Sequence, residues 1–275
     1  MNRRRRLIRG GFGGGPSTPL TLDLIATQPA AAFSLRKIRA SYSGSCVRVR
    51  RSSDSAEQDI GFSGSSLDTE ALSSFVGVDT AFIVKWYDQS ANANHAVQTV
   101  DATKQPTYTA TQLTFDGTND FFKLTSAISR ATGYTVFSSL QASDTATTKS
   151  VVSGSNGAMF LRIGTTEAFV IVRQGAAVLL TSASTGLTTK NVTRWRSFST
   201  GNSIHYNGVS EGSNATNNAL TQDVTQIFAG TSVGGDLFAG TAQELFIYVD
   251  DLSAADSNTI GSNMATFAGT SWTNI

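Results

Sequence analysis

The sequence predicts an all-β protein, a sandwich of the jelly-roll kind with a few short helices and an extended N-terminal arm. Three observations carry this. From Gln112 onward, brief apolar segments follow one another with turn residues between them, among them Asp116-Gly117, Asn207-Gly208 and Gly234-Gly235-Asp236. Many short strands at regular spacing with turn chemistry between them are the mark of sandwiches and jelly rolls. Of the 275 residues 40% are hydrophobic and 15% charged. That is enough to bury a core, and well below the roughly 25% charge of an average soluble domain. No repeat of solenoid length emerges, so the β part reads as one domain, residues 20–275, behind an arm of residues 1–19.

The arm combines Arg3, Arg4, Arg5, Arg6 and Arg9 with a Gly-rich run and two prolines. It has too little apolar surface to offset the entropy of ordering. Leu20 to Ile25 alternates and reads as a short strand or anchor. Ala30 to Tyr42 gathers apolar residues at near-helical spacing and reads as a helix. Val47 to Arg50 alternates as a strand, and Leu67 to Val76 is a short amphipathic helix with acids at its start. Phe82 to Tyr87 is a buried strand ending at Asp88. Asn207-Gly208 is the strongest hairpin signal. Ser253 is placed to cap a terminal helix over Ala254 to Phe267.

Chemistry is sparse. One cysteine, Cys46, allows no internal disulfide, and only two histidines, His95 and His205, are available for ligation or a triad. No apolar run is long enough to span a bilayer, and no signal peptide is read at the N-terminus, so folding in a reducing cytoplasm is expected. Asp88, Asn92, Asn94 and His95 make an oxygen-rich stretch after a buried strand. It suits a glycan or a hard cation, calcium being the cation such a loop would take, or plain local hydrogen bonding. No resident cofactor is expected otherwise. Asp236 is a further candidate, although a turn role accounts for it more simply. Trp86, Trp195 and Trp272 with Tyr108, Tyr134 and Tyr206 would supply either a sugar platform or core. Residues 1–51 carry eleven Lys or Arg against one acid, Asp23, while residues 52–275 carry ten against nineteen. That split points to an acidic partner for the N-terminal region.

The stretches Ala32-Phe33-Ser34-Leu35-Arg36, Val47-Arg48-Val49-Arg50-Arg51-Ser52-Ser53-Asp54 and Trp86-Tyr87-Asp88-Gln89-Ser90-Ala91-Asn92-Ala93-Asn94-His95 resemble the catalytic domain of the α-L-arabinofuranosidase B family. Phe115 to Phe121 and Phe238 to Leu252 are similar to the general pattern of laminin-G and concanavalin-like sandwiches. The resemblance implies a concanavalin-like β-sandwich of sugar-active ancestry. It also implies a nucleophilic Glu directly after a Met, where this chain has Met159 followed by Phe160. The acid/base Asp after a Gly-Gly pair would correspond to Asp236. The family's neighbouring cysteine pair is missing here.

The Arg-rich start and Gly/Pro linker resemble bacteriophage structural proteins bearing such a module. The expectation is therefore a non-enzymatic virion protein, a capsid decoration, head fibre or tail component made in the host cytoplasm. Its arm would anchor it to other virion proteins, and its sandwich would form a homo-oligomer and adhere to a host surface glycan. Neither a membrane nor, in the favoured reading, nucleic acid is a partner. The alternative is a glycoside hydrolase acting on arabinofuranosyl-type linkages.

Overall fold

The computed structural model describes residues 20–109, 111–129, 132–144, 146–154, 159–164, 169–172, 178–182, 187–215, 223–230 and 235–275. The arm with Arg3, Arg4, Arg5, Arg6 and Arg9 lies outside them, as do Gly234 and the side chain of Phe160.

The strands form a continuous antiparallel network folded into two layers. In the back layer, Ala239–Tyr248 is flanked by Ala31–Ser34 and Gly133–Ala142, followed by Asn191–Phe198, Gly201–Tyr206 and Val209–Asn214. The front layer contains Glu57–Ile60, Val47–Arg51, Ala81–Trp86, Phe122–Ile128, Val224–Ile227, Lys149–Ser153 and Met159–Ile163, with the short Ala96–Val97 strand as a link. Thr107–Thr109 and Gln112–Asp116 carry the ladder from one layer to the other. Val136, Leu140, Trp195, Leu245 and Ile247 of the back layer share one apolar cluster with Val47, Ile83, Trp86, Phe122 and Val152 of the front.

The back layer is covered on its other face as well. Successive strand residues point to opposite faces. Phe137, Val192, Phe246 and Tyr248 accordingly meet Ile260, Met264, Ala265 and Ala268 of the helix Ala254–Ala268, here α2. Two-sided cover explains why Gly133–Ala142 reads as a nearly unbroken buried run rather than an alternation. Ser253 caps α2 as expected, its hydroxyl accepting from the Asp256 amide at 3.1 Å. The front layer's helix, Thr69–Val76 (α1), is capped by Asp68. Among the described residues, no helix is long and apolar enough to cross a membrane.

One element differs from expectation, and a second resolves between two readings. Ala30 to Tyr42 is not a helix: Ala31–Ser34 is a strand paired with Ala239–Tyr248, and all four of its residues are buried. Its apolar residues cluster because both faces are covered, which imitates helical spacing. Leu20 to Ile25 follows the anchor reading rather than the strand. Thr21–Asp23 forms a single 3₁₀ turn that lays Leu22 and Ile25 into the α2 cluster, with Thr21 donating to Asn263 Oδ1 at 2.6 Å. The aromatic platform also resolves into core, since Trp86, Trp195 and Tyr134 are buried.

Asn207-Gly208 makes the hairpin turn predicted, with φ of +51° and +81°, the signs a two-residue primed turn requires. A Cβ on Gly208 would lie 1.7 Å from the Thr273 carbonyl oxygen, where the C-terminal segment is pinned by its Thr273 amide to the Asn207 carbonyl. Gly208→Ala is therefore expected to destabilise the fold by about 1–3 kcal/mol through the left-handed backbone alone, and more through the Thr273 clash. Urea unfolding midpoints measure this, and a change within about 0.3 kcal/mol would contradict it.

Candidate active site

The polar stretch after Ala81–Trp86 is built as a latch. The Asp88 carboxylate is buried and accepts four hydrogen bonds: Oδ1 from the amides of Ala32 and Ser90, both at 2.8 Å, and Oδ2 from the Ser90 hydroxyl at 2.6 Å and the Asn94 amide at 2.8 Å. Gln89 donates to the carbonyls of Ser34 and Arg36 and accepts from the Ile38 amide. Asn92 donates to the carbonyls of Pro29 and Ala30, and Asn94 ties the loop to Ser126. His95 Nδ1 accepts from the Asp88 amide at 3.2 Å, and its ring packs edge-on to Tyr87. Burial, aided by Lys85, holds the His95 pKa below its ordinary value. The structure thus brings Asp88, Asn92, Asn94 and His95 together, with the Asp88 carboxylate and the Asn92 and Asn94 amide groups bonded to the chain itself. Among the described residues, no group of three or more His, Cys, Asp or Glu converges as a metal cluster.

Asp236 stands elsewhere, in an open cleft of about 540 Å³ that it lines with Gly117, Thr118, Ala146, Thr147, Thr148 and Leu237. That volume lies within the range of small-molecule sites. Three distant segments meet there, and each is held in place. The Asp236 carbonyl accepts from the Ser150 amide at 2.8 Å, and the Gly235 carbonyl from the Gly230 amide. Leu237 packs with Phe121 and Ala229, and Phe238 lies against Phe115 and Phe228. Asp236 itself has φ +49°, and Phe228, which precedes this loop, has φ +65°. For a bulky residue the left-handed region is a true outlier, and such strain gathers at functional sites.

The cleft wall at 146–148 is fixed by an ion pair that sequence reasoning did not single out. Lys149, fully buried, donates to Asp144 Oδ1 at 2.7 Å and to the carbonyl and hydroxyl of Thr147. The Lys149 hydrogen bond, reinforced by the Ala146 amide, holds the half-exposed Asp144 carboxyl below its ordinary pKa. The only hint in the sequence is a lysine inside an otherwise uncharged strand. Three residues beyond Gly117, Asp120 accepts from the Asp116 amide at 3.0 Å, and burial pushes its pKa up to about 6.

With this geometry in hand, comparison with known proteins is decisive for the family. Residues 25–167, just over half of the chain, match the family described as alpha-L-arabinofuranosidase B, catalytic. The chain belongs to that family. Solved structures agree in fold. An arabinofuranosidase complexed with arabinofuranosyl-alpha-1,2-xylobiose is 14% identical, with a TM-score of 0.70, over 89% of this chain and 64% of that one. A GH54 α-L-arabinofuranosidase mutant soaked with 4-nitrophenyl α-L-arabinofuranoside is also 14% identical, with a TM-score of 0.68, over 86% and 62%. The chain therefore spans less than two thirds of the length of these arabinofuranosidases. No curated protein sequence matches it significantly.

Membership of the arabinofuranosidase B family overturns the expectation of a non-enzymatic virion protein. The virion location, virion partners and particle-borne homo-oligomer are corrected with it, because the match is to a catalytic family. The charge split that suggested an anchoring arm also has a structural account. Arg36, Arg48 and Arg51 pair with Glu244, Asp59 and Asp54 inside the arabinofuranosidase B fold, and Arg50 stacks on Phe82.

Asp120 offers a test of the site's electrostatics. Its folded pKa of about 6 lies above the ordinary 3.8, so the folded state keeps this proton longer than the unfolded chain does. The stability this contributes is full below about pH 4 and is lost as pH rises through about 6. Asp120→Asn keeps an oxygen for the Asp116 amide and removes the titration. The variant is expected to gain steadily on the wild type between about pH 4 and 7 in denaturant midpoints, and a pH-independent difference would refute the raised value.

Proposed function

We propose that this chain is a glycoside hydrolase acting on arabinofuranosyl linkages in the Asp236 cleft. The observation that carries this reading is a cleft of about 540 Å³ lined by threonines and one carboxylate, Asp236. By resemblance, that carboxylate stands where the family has its acid/base. Hydroxyl-rich, uncharged walls suit a sugar ring, and a carboxyl at the wall can protonate the oxygen of the departing sugar.

Residue 160 bears on the stereochemistry. A phenyl ring cannot form a glycosyl ester, so the reading does not include a covalent intermediate at this position. It has water attack the anomeric carbon directly while Asp236 protonates the leaving oxygen, which inverts the configuration. The cleft is open, so the proton of the attacking water passes to solvent.

Turnover of 4-nitrophenyl α-L-arabinofuranoside is the direct test. The wild-type chain is expected to release 4-nitrophenol, with Asp236→Asn lowering kcat by about 10²–10⁴-fold at unchanged unfolding midpoint. Proton NMR of the first product is expected to show the inverted anomer. No release by the wild type across arabinofuranoside substrates, or full activity in Asp236→Asn, would sink the reading.

A further inference from the structure

Arg194 presents a charge that the fold does not answer. On the Asn191–Phe198 strand Trp195 faces the inter-layer core and Val192 the α2 side, and strand alternation puts Arg194 on the α2 side with Val192. This face lies away from the inter-layer core.

Arg194 is 4% exposed, and no carboxylate pairs with it among the described residues. Its Nε, buried, has no partner, and Nη1 reaches only the Ser203 hydroxyl at 3.3 Å and His205 Nδ1 at 3.4 Å. The charged groups that act on it are Arg196, which repels, and Asp251, which attracts. Both oxygens of Asp251 are already engaged by Arg196. The contrast with Arg36 is direct, since that guanidinium meets both oxygens of the buried Glu244.

Burial lowers Arg194 to about 10, which leaves it a cation at neutral pH. Burial and Arg194 together depress His205 to about 4, so its ring is neutral there and offers Nδ1 as an acceptor. The cluster is therefore cationic, with Arg194 Nε unpartnered, and the half-buried Ser203 and His205 stand at its edge. A guanidinium fork matches a carboxylate bidentately, and buried charges are normally paired.

We propose that Arg194, Ser203 and His205 form a binding site for a small carboxylate anion, separate from the Asp236 cleft and independent of the hydrolase reading. The carboxylate would accept from Arg194 Nε and from the Ser203 hydroxyl, which would turn from the guanidinium toward the anion.

Acetate is the probe, followed at pH 6.5 by NMR of the Arg194 Nε–H and the His205 ring in the full chain, with glucuronate and chloride titrated in parallel at equal ionic strength. The proposal expects saturable shifts of both signals with acetate that chloride does not reproduce. Arg194→Gln should abolish saturation, and Ser203→Ala, at a half-exposed position, should weaken it by about tenfold. Tighter binding of glucuronate than of acetate would assign the site to an acidic sugar, and equal binding to a simple carboxylate. Non-saturating shifts, shifts shared with chloride, or acetate binding undiminished in Ser203→Ala and Arg194→Gln would overturn it.

Discussion

A single buried carboxylate, that of Asp88, collects three backbone amides and one hydroxyl from two parts of the chain. Three of those donors lie in its own loop and the fourth is Ala32, in the strand at the edge of the back layer. Leaving such donors unanswered in a buried place would cost about 1–3 kcal/mol each, so the loop and the strand must form together. Gln89 adds the same coupling one residue on, through Ser34, Arg36 and Ile38. Through this junction the end of a front strand holds the first back strand, and Arg36 then reaches Glu244 and the Asn263 carbonyl of α2. One polar seam therefore ties front layer, back layer and helix.

The same back strand that receives this seam also leads out of the cleft. Ala239–Tyr248 begins three residues after Asp236 and pairs at its start with the Gln112–Asp116 strand, which runs into Gly117 and Thr118. Asp236 is thus held by a sheet on one side and by Ser150 on the other, in a backbone conformation its neighbours impose. Lys149 does for the third wall what Asp88 does for the N-terminal strand, with the signs reversed: a buried cation gathers a carboxylate, a carbonyl and a hydroxyl of one turn. Asp88 and Lys149 are buried charges well supplied with partners, whereas Arg194 lacks such a complement among the described residues.

Local signals in the sequence were read well where the physics is local. The primed turn at Asn207-Gly208, the Ser253 cap, the helix behind Asp68 and the strand pattern from Gln112 each depend on a few adjacent residues. Ala31–Ser34 was misread because burial on both faces erases the alternation by which a strand is recognised, and only the tertiary cover reveals it. The loop from Asp88 to His95 carried the family resemblance, and its polar density also builds the latch that holds the first back strand. The cleft itself is assembled from 117–118, 146–148 and 236–237, and no spacing in the sequence joins those segments. Phe160 and the basic N-terminus steered the functional expectation away from an enzyme. The first concerns one position of a family's machinery, and the second dissolves in part into ion pairs of the folded domain.

The account turns on whether the Asp236 cleft holds an arabinofuranosyl ring, and a crystal of the chain soaked with 4-nitrophenyl α-L-arabinofuranoside tests that most directly. The account predicts sugar density between Thr118, Thr147 and Asp236, with the Asp236 carboxyl against the glycosidic oxygen. Sugar bound at the Asp88 loop or on another face, with the Asp236 cleft filled by water, would contradict it.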